Sequence, residues 1–228
     1  MAARGEGVSA VVHTLANTWH WWLDNGGRMT GAIETHVELT VVSVAIALAI
    51  GVLLGVVAAR VGSLLGFAVV QLANLGRIVP SLAILALALP LVGVGFTPSV
   101  IALVAVGTPP IVVNTYAGVR SVDLAALEAA RGMGMSSLQV LRRVQLPLAL
   151  PLVVAGIGTA AVQIVSTATL AALIGGGGLG EVVFNGIATI RNEIILAGVL
   201  PIAVLALLVE GLFRLVSRFA TPRGLRFV

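Results

Sequence analysis

The chain has 228 residues, of which 59% are hydrophobic and only 10% charged. Soluble domains carry roughly 25% charged residues, so a mean hydropathy of +1.12 places this one among membrane proteins. It contains no Cys, which excludes disulfides and thiolate metal sites, and its 13 basic residues are all Arg. A phosphate-binding Walker A loop needs its Lys, so an ATPase driving this protein must reside on another chain. Unbroken apolar runs, not short alternating segments, exclude a transmembrane barrel. Residues 1–30 lack a basic start followed by an apolar core, so no signal peptide is expected.

Residues 1–38 are mixed and polar and hold Trp19, Trp21 and Trp22. Trp favours the water–lipid boundary, so an interfacial, extracytoplasmic segment is expected there. Leu39 to Ala59 is an uncharged run of 21 residues, enough for a first span. Gly51 and Gly55 within it have the spacing that permits close helix approach. From Ile78 to Val119 there are 42 residues without a charge, room for two spans of about 20 residues. The break between them is expected near Gly93–Pro98. The earlier of the two either starts near Gly66, carrying Arg77 and kinking near Pro80, or starts at Ile78. A fourth span is expected over roughly Leu148 to Ile174, before a glycine cluster. The fifth runs from about Ile194 to Phe213, with Pro201 as a kink. The membrane domain is thus 39–216, followed by a tail at 217–228.

Arginines mark the cytoplasmic side. With five spans, one side receives Arg60, Arg120, Arg131, Arg142, Arg143 and the tail residues Arg214, Arg218, Arg223 and Arg226. The other receives Arg4, Arg28 and Arg191 beside six acids. Nine against three places the N-terminus outside, and the C-terminus and the 120–147 loop in the cytoplasm.

That loop reads RSVDLAALEAARGMGMSSLQVLRRVQLP. Asp123 is positioned to cap a short helix over 124–131. Gly132 and Gly134 disfavour its continuation, and Ser136 with Gln139 forms a capping box for a second short helix. Pro147 can open the next span. Two short helices joined by a glycine turn are therefore expected. Glu128-Ala129-Ala130, then Gly134 after three residues, then Val144-Gln145-Leu146-Pro147 after nine more, resembles the EAA loop of bacterial ABC-importer permeases. Val144 in place of Ile is the one departure.

The resemblance extends over roughly residues 36–205, where HVELTVVSVAIALAIGVLLGVVAAR, IVPSLAILALALPLVGVG, IVVNTYAGVRSVD and VSTATLAALIGGGGLG resemble the glycine betaine/choline/carnitine (osmoprotectant) permeases. Methionine-type importer permeases share the loop and a similar glycine cluster. The resemblance implies an all-α, five-span permease of the methionine-importer-like (type I ABC importer) fold with cytoplasmic coupling helices, in a bacterial plasma membrane. It implies that Glu128, Ala129, Ala130, Arg131, Gly132, Gly134, Leu146 and Pro147 couple to ATP-binding ABC subunits, which hold ATP and Mg. It further implies a second permease copy or paralogue and a separate extracytoplasmic binding protein, for which a chain ending at Val228 leaves no fused domain. Neither a cofactor of its own nor a nucleic-acid partner is implied.

An aromatic cage is the preferred host for a quaternary ammonium. With one Tyr, and with all three Trp in the N-terminal segment, no cage can be assembled in the spans. High-affinity recognition is therefore expected in the binding protein, with a weak path here. Path candidates are Arg77, Pro80, Asn114, Tyr116, Gln163, Thr167 and Thr169; Thr115 and Ser166 are further polar groups within apolar runs. The alternative for the polar groups is hydrogen bonding within or between helices; for Arg77 it is snorkelling to the headgroups. Gly175, Gly177 and Gly180 formally match a dinucleotide fingerprint, but no βαβ unit surrounds them. A flexible loop facing the binding protein is expected instead.

His13, His20 and His36 lack metal-ligand spacing, and no catalytic or metal residue is assigned. An ATP-independent transporter would need carboxylates or repeats tied to ion coupling, yet only Glu210 lies near a span's inner end. A membrane enzyme would need a convergent titratable constellation, and the sequence offers none.

Overall fold

A computed structural model describes residues 2–220; Met1 and residues 221–228, with Arg223 and Arg226 of the expected tail, lie outside the described residues. Ten α-helices follow in chain order among the described residues: α1 (Ala2–Asp24), α2 (Gly26–Arg60), α3 (Ser63–Ile78), α4 (Ser81–Val92), α5 (Phe96–Arg120), α6 (Leu124–Gly132), α7 (Ser137–Val140), α8 (Leu146–Ala171), α9 (Leu179–Ala188) and α10 (Asn192–Ala220). A π-helical turn at Leu141–Gln145 joins α7 to α8, and a 3-10 turn at Ala172–Ile174 follows α8.

Four helical stretches are long and apolar enough to cross a membrane: Gly26–Arg60, Phe96–Arg120, Ser137–Ile174 and Asn192–Ala220. The helices α3 and α4, bent by 95° at their junction, pass the same length and composition test only as a pair, as a broken span or a re-entrant loop. The break follows from Pro80, which cannot donate a backbone hydrogen bond and disfavours helix at the preceding residue; Val79 is extended at φ −66°, ψ 123°. Helix α3 starts at Ser63, before Gly66, and carries Arg77 in its last turn.

The first span is longer than the apolar run. It begins at Gly26, because Glu34 and Glu38 do not break a helix that no proline interrupts. The expected interfacial segment is helical in its described part apart from a turn at Asn25. The last span runs to Ala220, past Phe213, with Pro201 inside an assigned helix.

Contacts divide the chain into two compact units. The first comprises the residues up to Val42, Ser81–Leu103 and Val165–Leu207; the second comprises Ser43–Pro80, Val104–Ile164 and the residues from Leu208 on. In the first, Trp21 and Met29 are buried with Leu179, Val182, Ile194 and Ala197. The indole N–H of Trp22 donates to the Ala197 carbonyl at 3.1 Å, and the Thr18 hydroxyl donates to the Glu193 carbonyl at 3.2 Å. These bonds fasten α1 to α10. Of the three Trp, only Trp19 is strongly exposed.

In the second unit α2 lies directly on α5. A Cβ at Gly51 would meet Ile111 at 2.7 Å, and one at Gly55 would meet Thr115 Cβ at 2.5 Å and the Val112 carbonyl at 2.9 Å. The Gly51/Gly55 spacing therefore packs two helices of the same chain. Gly156 receives Asn114 in the same way, at 2.6 Å, bringing α8 against α5.

Overpacking a close helix contact costs about 1–3 kcal/mol. Gly55→Leu should therefore lower the thermal midpoint of the detergent-purified protein, whereas Gly211→Ala, with nothing within 4 Å of its added Cβ, should not. Equal midpoints for the two variants would contradict this packing.

Candidate functional site

The 120–147 loop builds a small fold of its own. Asp123 caps α6 by accepting the Ala125 N–H at 3.0 Å. Leu127 and Ala130 sit three apart and share one helix face, and both are buried with Val140. Val122, Met135 and Val144 pack around them. Glu128 and Ala129 fall on the opposite face and are exposed, as are Arg131, Gly132 and Gly134. Among the described residues Glu128 has no ion-pair partner.

The helix ends on three backbone bonds: Met133 N–H to Ala129 O, Gly134 N–H to Arg131 O and Met135 N–H to Ala130 O. Gly134 has φ +82°, a left-handed conformation that a side chain disfavours. Ser136 then forms the expected capping box. Its N–H donates to Gln139 Oε1 at 2.8 Å, and its Oγ accepts the Gln139 N–H at 3.4 Å. Arg60, at the end of α2, donates to the Ser137 carbonyl at 3.3 Å, tying the loop to another span.

Beyond Gln139 the structure departs from two separate short helices. The second runs on through the π turn into α8, so Ser137–Ile174 is one helical stretch. The Leu146 N–H donates to Leu141 O, five residues back. Pro147 has no N–H to return to the Arg143 carbonyl, and the wider turn accommodates that loss. Leu146 packs with the buried cluster of Val119, Ala149 and Val153. Pro147 is exposed inside the helix it was expected to open.

The path candidates differ in their surroundings. The Asn114 amide donates to the Pro110 carbonyl of its own helix at 2.8 Å. Tyr116, two residues on, points roughly 200° away around α5; it borders Gly66 and carries the Arg120 guanidinium 5.9 Å from its ring centre. Thr115 is fully buried with its hydroxyl unpartnered. Gln163 and Thr169 are half-buried, Thr167 is buried and Ser166 is exposed. Arg77 and Pro80 are exposed at the α3–α4 break. In the last turn of α3, Arg77 offers its charge to the helix's carbonyl end.

The glycine cluster is packed, in contrast to the flexible loop expected. Gly176, Gly178 and Gly180 are buried. Gly175, Gly177 and Gly178 all have positive φ. Gly178 lies against His36, Gly176 against Ser99, and Gly180 against the Thr169 carbonyl. His36 is fully buried in α2, with Nε2 3.1 Å from the Val165 carbonyl. Spacing rules for metal ligands could not find such a residue, because its role is to pack. Among the described residues no His, Cys, Asp or Glu cluster could hold a metal. Helix α9 was also missed, since ten residues are too few to register as a span.

The described residues thus combine several apolar helices long enough to span a membrane with a helical loop that has its own buried core. Residues 51–221 match the model of the binding-protein-dependent transport system inner membrane component family. The chain is 37% identical to the glycine betaine/carnitine/choline transport system permease protein OpuCB of Bacillus subtilis, over 89% of this chain and 93% of that one. It is also 37% identical to the osmoprotectant import permease protein OsmW of Salmonella typhimurium, over 92% and 100%. An inward-facing structure of the MetNI methionine ABC transporter superposes with a TM-score of 0.79 at 20% identity, covering 87% and 99%; at that identity the likeness concerns the fold, that of a type I ABC importer permease. The chain belongs to the family of binding-protein-dependent transport system inner membrane components.

Burying an unpaired charge in the loop core costs about 1–3 kcal/mol or more. Ala130→Glu should therefore cut hydrogen-exchange protection over residues 124–140 by about tenfold or more, while Ala129→Glu should leave it unchanged. Equal protection in both variants would show that Ala130 is not a core position.

Proposed function

We propose that this chain forms the translocation path of an ATP-driven importer of compatible solutes carrying a quaternary ammonium group, and that its 120–147 loop is the coupling element. The solute class is supported by the curated relatives, whose names specify glycine betaine, carnitine and choline. The observation that carries the coupling role is the loop's division of labour. Leu127, Ala130 and Val140 hold it rigid, which leaves Glu128 and Ala129 exposed. A small side chain lets a partner's backbone approach closely, and a carboxylate offers a charge-assisted bond to a basic group. ATP and Mg belong to the partner ATPase. A second permease copy or paralogue and a separate substrate-binding protein complete the complex.

The N-terminus faces outward and the loop faces the cytoplasm, following the nine-to-three arginine asymmetry. Arg77 sits at the bent span and Gly175, Gly177 and Gly180 at the packed turn. Arg77 serves the gate, and the turn supports the face that receives the binding protein.

Two measurements test this reading. Removing one charge-assisted contact costs about 1.5–3 kcal/mol, so Glu128→Ala should lower binding-protein-stimulated ATP hydrolysis and glycine betaine uptake together by about tenfold or more, with the chain still inserted. Unchanged uptake, or uptake of methionine in place of any quaternary ammonium solute, would contradict it. Because the chain has no Cys, Met133→Cys offers a single thiol at an exposed position. A membrane-impermeant maleimide should label it in inverted vesicles and not in intact cells; the reverse pattern would invert the topology.

A further inference from the structure

Two stripes face each other in the second unit. On α10, Glu210, Phe213, Arg214 and Ser217 follow the i, i+3, i+4, i+7 spacing of one helix face. On α8, Ala155, Gly158, Thr159 and Val162 follow the same spacing. Gly158 lets Phe213 come close: a Cβ there would lie 2.9 Å from Phe213 Cβ. Because the α8 stripe is small, it cannot fill the space beside that contact, and the eight residues line an open cleft of about 510 Å³. A volume of this order accommodates a small molecule.

The cleft's chemistry is specific. Glu210 and Arg214 pair at 2.6 Å, one turn apart on the same helix, with the Phe213 ring between them in sequence. The pair stands near the inner end of the last span, where both charged groups can reach water. An exposed pair of this kind adds little net stability, so the fold does not explain its presence. Its geometry suits exchange: one carboxylate, one guanidinium and one aromatic ring on a single face, opposite a wall of methyl groups and one hydroxyl. A second cleft, between α2, α3 and α5, has Thr108 as the one polar side chain in its lining and offers no charge.

We propose that the α8–α10 cleft is a weak transit subsite for a small zwitterion bearing a quaternary ammonium and a carboxylate. The incoming ligand opens the Glu210–Arg214 pair. Its methylated cation sits against the Glu210 carboxylate and the Phe213 ring, since such a cation donates no hydrogen bond and is held by charge and ring contact. Its carboxylate takes the Arg214 guanidinium, whose fork matches that geometry. A single ring instead of a cage keeps the affinity low, as release demands. This subsite rests on the solute class proposed above.

The test uses the permease assembled with its ATPase, in nanodiscs of phosphatidylethanolamine and phosphatidylglycerol, which carry no choline headgroup. Saturation-transfer-difference NMR reads the N-methyl signals of glycine betaine and of choline, which lacks the carboxylate. Wild type should give signals for both. Arg214→Gln, at a largely exposed side chain, should cut the glycine betaine signal about tenfold and spare choline; Glu210→Gln should diminish both. Absence of signal from the wild-type complex, as when lipid or a second copy covers the cleft, would overturn the site. So would an equal change for both ligands in Arg214→Gln, or no change. Uptake by wild-type complex and binding protein in proteoliposomes separates the two claims. If no quaternary ammonium solute is imported, the solute class fails and the subsite with it. If uptake is normal but the NMR pattern is absent, the class stands and the subsite alone is wrong.

Discussion

Close backbone approach at small residues is the constraint on which the rest depends. In lipid, apolar surface gains nothing by leaving the solvent, so helices associate through van der Waals contact and hydrogen bonds. That contact requires surfaces without bulk. Gly51 and Gly55 bring α2 onto Ile111 and Thr115, and Gly156 brings α8 onto Asn114. Within the other unit, Gly180 and Gly198 let α9 seat against its neighbours. The same rule shapes the α8–α10 cleft, where small residues meet a bulky stripe and leave space. With no water to satisfy backbone groups, the spans stay helical, and the break between α3 and α4 falls where Pro80 imposes it.

The 120–147 loop is held at both ends. Its capping box and small core would hold two turns of helix loosely by themselves. The π connection makes the second of them continuous with a membrane helix, and the Arg60 bond to Ser137 reaches a different span. The loop is therefore tied to α8 by helical continuity and to α2 by the Arg60 bond. The EAA triplet then divides by role. Ala130 belongs to the loop's own core, whereas Glu128 and Ala129 are exposed. Small size is needed at both alanines, for opposite reasons: one fits inward under Val140 and the other lets something fit against it.

Much of this was legible beforehand because local signals are strong. The Asp123 cap, the Ser136–Gln139 box and the turn at Gly134 each follow from a few neighbouring residues, and the structure reproduces them. The number of spans follows from the lengths of uncharged runs. What local pattern could not convey is which side chains meet at long range. Trp21 looked interfacial because Trp favours that depth, but α9 and α10 bury it. The glycine cluster looked loose because glycine is permissive, yet its lack of Cβ serves tight contact with His36 and Ser99. Asn114 looked like a path residue by polarity and spends its amide on its own helix. Hydropathy begins the first apolar run at Leu39, whereas backbone continuity carries its helix, α2, back to Gly26.

The central claim is that the loop presents Glu128 and Ala129 to an ATPase while Ala130 faces inward. Site-directed disulfide cross-linking tests it most directly, since the chain has no native Cys. Cysteines placed in turn at 129 and 130 would be paired with cysteines scanned across the surface groove of the partner ATPase. The account predicts cross-links from position 129 that vary with nucleotide state, and none from position 130. Equal cross-linking from both positions, or none from 129 at any groove position, would contradict it.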